Sequence, residues 1–177
     1  NDPGAMVRYA RECQELGIPY IYDPSQQIIR LDGQALVEGT RGARLLVVNE
    51  YEFEMLKNKT GLNDNELLAL APTTIVTKGE QGSVIFDGGE VIEVPPAPPR
   101  EIAEPTGAGD AYRGGIIAGM TRGYHWQTTG RIASLVATYA LECLGTQGYC
   151  FTLPEFVARY RTTFGEAPEL ADLLNGA

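Results

Sequence analysis

Thr106-Gly107-Ala108-Gly109-Asp110 decides how this chain is read. Three small residues lead into an aspartate, and a helix-compatible run from Ala111 to Met120 follows at once. The first N–H groups of a helix have no intrahelical partners and carry a partial positive charge of about half an elementary unit. Glycine lets an anion come close to that backbone, so the loop reads as a phosphate cradle. The Asp110 carboxylate would repel a phosphate. It is suited instead to take the proton of a hydroxyl that attacks one. An anion hole beside a base implies phosphoryl transfer to an alcohol. The plainer alternative is a glycine-rich turn that merely precedes a helix, with Asp110 complementing the helix dipole.

Two sharper rivals fail on the residues. A dinucleotide fingerprint would place its third glycine where Tyr112 stands, and no acidic residue occurs between Asp110 and Glu142 to meet a ribose. The preceding Pro95-Pro96-Ala97-Pro98-Pro99 is no buried strand. A Walker-type loop is excluded because Gly-Lys-Ser/Thr occurs nowhere.

The surrounding pattern alternates strands and helices. Met6, Tyr9, Ala10, Cys13 and Leu16 form one stripe of a helix over Pro3 to Leu16, opened by Asn1-Asp2-Pro3 and stopped by Gly17. Ile18 to Tyr22 reads as a short strand leading to Asp23, and Gly33 to Glu38 as a brief helix. Leu45-Leu46-Val47-Val48 has the unbroken apolar character of a buried parallel strand. Asn49 then caps a helix to about Asn58, with Gly61 as its stop, and another short helix covers Asp64 to Leu70. Thr73 to Thr77 is a third strand, and Asp87-Gly88-Gly89 joins Gly82–Phe86 to Glu90–Val94 as a hairpin. The proline stretch is a stiff connector. Helices follow over Ala108–Thr121, Trp126–Leu144 and Leu153–Thr163. This order predicts a mainly parallel sheet covered by helices. Asp23, Asn49 and Thr77 each end or follow an apolar strand, which puts them at the edge where such sheets bind ligands.

Three motifs in order carry a resemblance: Asn49-Glu50-Tyr51-Glu52, Thr77-Lys78-Gly79-Glu80-Gln81-Gly82, and Gly107-Ala108-Gly109-Asp110-Ala111-Tyr112 with Gly114-Gly115. They match the NxxE, TxGxxG and C-terminal signatures of the ribokinase-like (PfkB) carbohydrate and nucleoside kinases, over about Pro19 to Phe164. The resemblance implies an α/β fold of the ribokinase-like three-layer α/β/α kind. It also implies that residues 1–177 are the C-terminal, ATP-binding and catalytic portion, without the N-terminal half and lid that supply most of the acceptor pocket. An exposed sheet edge, and hence poor solubility or pairing with a second copy, is expected of such a portion.

The roles it implies are specific. Asp110 is the general base, and the N–H groups of Gly107, Ala108 and Gly109 stabilise the transferred phosphoryl group. Thr77, Gly79 and Gly82 contact the nucleotide; a simple turn between strands is the alternative. Asn49 and Glu52 organise phosphate and Mg2+, with Glu52 acting on the metal through water; a helix capping box is the alternative. Glu104 stands where many relatives carry an aspartate that helps bind a monovalent cation, which argues against a potassium dependence. Gly145-Thr146-Gln147-Gly148 falls near where relatives close the adenine pocket. Arg113 and the run Glu142 to Gln147 lean towards adenosine or nucleoside kinase-type members.

The expected activity is transfer of the γ-phosphate of ATP to a hydroxyl of a sugar or nucleoside. A nucleotide-binding module without catalysis is the alternative. A formal charge of −9 disfavours a nucleic-acid partner. No apolar run is long enough to span a bilayer. Three cysteines, Cys13, Cys143 and Cys150, without CxxC spacing fit a reducing cytoplasm, and the single histidine, His125, gives little support to histidine chemistry.

Overall fold

Residues 2–171 and 173 are described in the computed structural model. Leu45 to Val48 form most of strand β2 (Leu45–Asn49), and all four are buried. β2 pairs in parallel with β1 (Ile21–Tyr22) on one side and β3 (Thr73–Thr77) on the other. β3 pairs antiparallel with β4 (Ser83–Asp87), which turns through Gly88-Gly89 into β5 (Glu90–Val94). The sheet order is β1-β2-β3-β4-β5. It is parallel over β1 to β3, with a hairpin added beyond β3.

Local signals set the helix ends around these strands. α1 (Pro3–Leu16) starts behind Asp2, whose carboxylate accepts a hydrogen bond from the Ala5 N–H at 2.9 Å. Asn1, the first residue of the expected cap, lies outside the described residues. Asp32 caps α2 (Gly33–Arg41) in the same way, while Asn49 and Asn63 open α3 (Glu50–Thr60) and α4 (Asp64–Leu68) with reciprocal capping boxes. Gly17 and Gly61 stop α1 and α3 in left-handed conformation. Leu36, Leu46, Val48, Leu56, Leu67 and Val76 meet in one core. β1 begins later than the expected Ile18. The Ile18 N–H closes the end of α1 on the Cys13 carbonyl at 2.8 Å, and Pro19 has no N–H to give a ladder. β1 ends one edge of the sheet, and Tyr9, Leu16 and Ile18 are exposed.

By its internal contacts the chain divides into two compact units, Asn1–Gly79 with Ser83–Ile92, and Glu80–Gly82 with Glu93–Ala177. The second unit holds α5 (Ala108–Thr121), α6 (Trp126–Leu141) and α7 (Leu153–Phe164). α5 and α6 approach through small residues. A Cβ on Gly115 would strike the Ala133 backbone, and one on Gly119 the Thr129 side chain. Leu135, Phe156, Val157 and Tyr160 join α6 to α7. α6 stops at Leu141 rather than the expected Leu144, because the Leu141 carbonyl accepts from the N–H groups of Ala103 at 2.8 Å and Glu104 at 3.2 Å. Short 3-10 turns at Ser25–Ile29, Gly79–Gln81 and Pro168–Leu170 were not expected from the sequence. Among the described residues, no helix is long and apolar enough to cross a membrane.

Candidate active site

Asn49 and Thr77 are register partners at the ends of the parallel strands β2 and β3. Asp23 follows β1 directly, so the first unit brings three expected positions to the C-terminal edge of its parallel strands. Asn49 Oδ1 accepts from the Glu52 N–H at 2.8 Å, and Glu52 Oε2 accepts from the Asn49 N–H at 2.8 Å. The capping alternative is therefore realised. The same box occurs at Asn63/Glu66 and Thr152/Glu155, where no ligand is expected, so the box by itself marks no site. Thr77 is half-buried. Gly79 is exposed and opens a 3-10 turn at φ 57°. The Lys78 ammonium lies 4.0 Å from the Glu50 carboxylate.

In the second unit, α5 opens at Gly107 in left-handed conformation, φ 90°, with no side chain bonded to its first N–H groups. Helices α1 to α4 and α7 are all capped by an Asp, Asn or Thr side chain, whereas α6, opened by His125, shares the lack of a side-chain cap but has no glycine in its first turn. The Ala108 N–H makes one long contact, 3.4 Å to the Pro105 carbonyl. Gly109 is exposed, and the Asp110 side chain is 91% exposed. The Arg113 guanidinium lies 3.8 Å from the Asp110 carboxylate, and a Cβ on Gly109 would sit 2.9 Å from Arg113 Nη1. Arg113 entered the sequence reading only through its resemblance. Its spacing of three from Asp110 and four from Gly109 was the physical signal that would have placed it beside both.

Gly82 answers to a different constraint. A Cβ there would strike the Val94 carbonyl oxygen and the Pro96 nitrogen, so the chain's approach to the start of the proline connector requires glycine. The connector itself is anchored by Glu142 at the end of α6. Its carboxylate accepts from the Arg100 N–H at 2.6 Å and pairs with Arg159 through contacts of 2.5 and 2.7 Å. Arg159 also donates to the Pro98 carbonyl at 3.3 Å and lies 4.6 Å from the Tyr139 ring centre. The bonds from Arg159 hold the Glu142 carboxyl below its ordinary range, against the opposing effect of burial.

Among the described residues, no group of three or more His, Cys, Asp or Glu could hold a metal ion. Glu52 offers one carboxylate, with one oxygen already in the capping box. That donor set fits an ion held mainly by water and phosphate, as magnesium is, and does not fit an all-protein cage.

Parallel strands ending at Asn49 and Thr77, and a glycine-rich helix start bearing an aspartate, define an α/β protein of the ribokinase-like class. A model of the pfkB family of carbohydrate kinases matches residues 1–152, and the chain belongs to that family. It is 32% identical over 170 residues to a nucleoside kinase of Methanothermobacter thermautotrophicus, covering 96% of this chain and 54% of that one. The structure of Burkholderia thailandensis nucleoside kinase in complex with inosine superposes with a TM-score of 0.89 at 34% identity, covering 92% of this chain and 54% of that one. The same enzyme in complex with ADP-inosine gives 0.88, with 92% and 51% covered. The chain thus spans about half the length of the relatives it matches.

Proposed function

We propose that this chain is the nucleotide-binding and phosphoryl-transferring portion of an ATP-dependent kinase that acts on a nucleoside hydroxyl. The observation that carries the reading is the start of α5. It is the Gly-Ala-Gly helix opening with no side-chain cap, followed by an exposed Asp110. The inosine and ADP-inosine complexes of a 34% identical nucleoside kinase support the choice of nucleoside over sugar.

In this mechanism the N–H groups of Gly107, Ala108 and Gly109 receive the negative charge of the transferring group. Donors of this kind contribute about 2.7–4 kcal/mol each in comparable sites. The acceptor oxygen attacks the γ-phosphorus, its proton passes to the Asp110 carboxylate, and the bond to the β–γ bridging oxygen breaks to release ADP. Arg113, beside Asp110 and Gly109, adds positive charge to the same helix start. Thr77 and Gly79 contact the nucleotide, and Asn49 sets Glu52 through their capping box. Glu52 would hold magnesium through water, and the ion would neutralise phosphate charge. Gly82 acts by shaping the turn.

The chain spans about half of its relatives, which supports one second reading, nucleotide binding without turnover by this chain alone. Transfer from γ-labelled ATP to inosine, adenosine, ribose and fructose separates the two. The expected result is transfer to a nucleoside that falls about 10²–10⁴-fold in Asp110→Asn, with ADP binding retained. Equal transfer by native and variant chains would remove Asp110 from its role. ADP binding with no transfer selects the second reading, and failure to bind ADP sinks both.

A further inference from the structure

Glu104 is half-buried, and its Oε2 accepts a hydrogen bond from the Gly145 N–H at 2.8 Å, bridging 41 positions of sequence. Three residues later the backbone turns at Gly107, φ 90°, where a Cβ would meet Thr146 atoms at 3.0 to 3.2 Å. Behind it, the N–H groups of Ala103 and Glu104 both donate to the Leu141 carbonyl. Residues 103–107 therefore lie against the end of α6 and the turn at 145–146. Glu104 supplies the side-chain bond that ties that turn to the segment.

A carboxylate close to a phosphate-binding loop is electrostatically unfavourable, because like charges repel. Its placement calls for another use, and the bond to Gly145 supplies one. A charge-assisted bond to a backbone N–H is among the stronger single contacts a side chain can make. Aspartate is shorter by one carbon–carbon bond, about 1.5 Å, so the reach across to Gly145 is specific to glutamate or glutamine.

We propose that Glu104 is a positioning residue for the start of α5. Its carboxylate holds Gly145-Thr146 against residues 104–107, and Thr146 in turn keeps Gly107 in the conformation from which the Ala108 and Gly109 N–H groups face outward. The inference rests on the phosphoryl-transfer reading of that loop.

The test compares the 177-residue chain with Glu104→Gln and Glu104→Leu. ADP affinity is measured by calorimetry, thermal unfolding without ligand by circular dichroism, and Gly145 amide exchange by NMR. Glutamine keeps an acceptor oxygen and removes the repulsive charge, so it should bind ADP at least as tightly as the native chain and keep Gly145 protected. Leucine should weaken ADP binding about tenfold, the loss of one such bond, and speed exchange at Gly145, while the unfolding midpoint falls by only a few degrees, so that the chain stays folded at the temperature of the binding assay. Equal ADP affinity in the leucine and glutamine variants overturns the positioning role, as does Gly145 protection unchanged by leucine. A native chain that binds no ADP fails the functional reading instead, and the exchange data then report on the Glu104–Gly145 bond alone.

Discussion

Gly107→Ala and Gly109→Ala separate what the backbone needs from what a phosphate needs. At Gly107 the φ of 90° is strained for any side chain, and the new methyl would press on Thr146 at 3.0 to 3.2 Å. That combination should destabilise the chain by about 2 kcal/mol, which lowers the unfolding midpoint of a domain this size by roughly 4–8 °C. Gly109 has ordinary helical backbone, and its methyl would meet Arg113 Nη1 at 2.9 Å, the far end of a side chain that need shift by only a few tenths of an ångström. Alanine there should raise stability by about 0.5–1 kcal/mol, because glycine is a poor helix former. Yet the methyl stands where a phosphate would settle on the exposed N–H groups. Losing one bond to a charged group, about 1.5–3 kcal/mol, corresponds to roughly 10- to 150-fold weaker ADP binding. Circular dichroism melting and titration calorimetry on the two variants give both numbers. A Gly109→Ala chain that melts higher and binds ADP as well as the native one would refute the anion-hole reasoning.

The Glu142–Arg159 pair should appear in the pH dependence of stability. The Glu142 carboxyl lies below its ordinary value of 4.5 in the folded chain, mainly through its bond to Arg159. Its contribution is therefore complete above that value and disappears as pH falls through the folded one. Glu142→Gln should lose about 3 kcal/mol at pH 7, as expected for breaking a largely buried pair, and the gap should narrow below pH 4.5 in urea titrations. A gap equal at pH 3 and pH 7 would show that the ion pair is not its source. With glutamate in place of the relatives' aspartate and its Oε2 engaged by Gly145, ADP affinity should be the same in potassium and choline chloride at equal ionic strength; a potassium-specific gain in calorimetry contradicts this.

The parts of the fold that were legible in the sequence are those with local causes. The apolar run at Leu45 to Val48, the β-branched Thr73 to Thr77, the caps at Asp2 and Asn49, and the stops at Gly17 and Gly61 each act within a few residues. β3, β5, α1 and α5 occupy the expected residues. Other boundaries moved by one to three residues: α2 runs on to Arg41, α3 to Thr60, α4 stops at Leu68, α7 ends at Phe164 and β4 covers Ser83–Asp87; β1 and α6 moved too, and their causes are plain. Leu141 ends α6 by giving its carbonyl to Ala103 and Glu104, and Ile18 is drawn from β1 into the end of α1. The candidate site divides in the same way. Gly107 to Asp110 were legible as a glycine-rich helix start beside a base, and Asn49 and Thr77 as strand ends; the resemblance supplied their particular roles, and strand register then placed Asn49 beside Thr77. Glu104 was noticed only as a departure, since nothing near it in sequence announces a partner 41 positions away.

The motif residues also divide by whether the fold itself requires them. Gly82 is needed by the Val94–Pro96 backbone, Gly115 by Ala133, and Gly107 by its own φ and by Thr146. Asn49 and Glu52 are accounted for by their capping box. Any domain with these turns and helix contacts would want the same residues, so their presence alone is weak evidence for catalysis. Gly109 and Asp110 are different. Gly109 sits in the first turn of a helix with ordinary backbone and only the Arg113 guanidinium nearby, where alanine would serve stability better. Asp110 spends its charge in solvent, 91% exposed, with Arg113 no nearer than 3.8 Å. In the proposed reading, a glycine that stability does not ask for admits a phosphate to the backbone, and the carboxylate beside it, which the fold uses only to complement the helix dipole, suits an attacking hydroxyl that must give up its proton. The case for phosphoryl transfer therefore rests on these two residues more than on the longer motif that contains them.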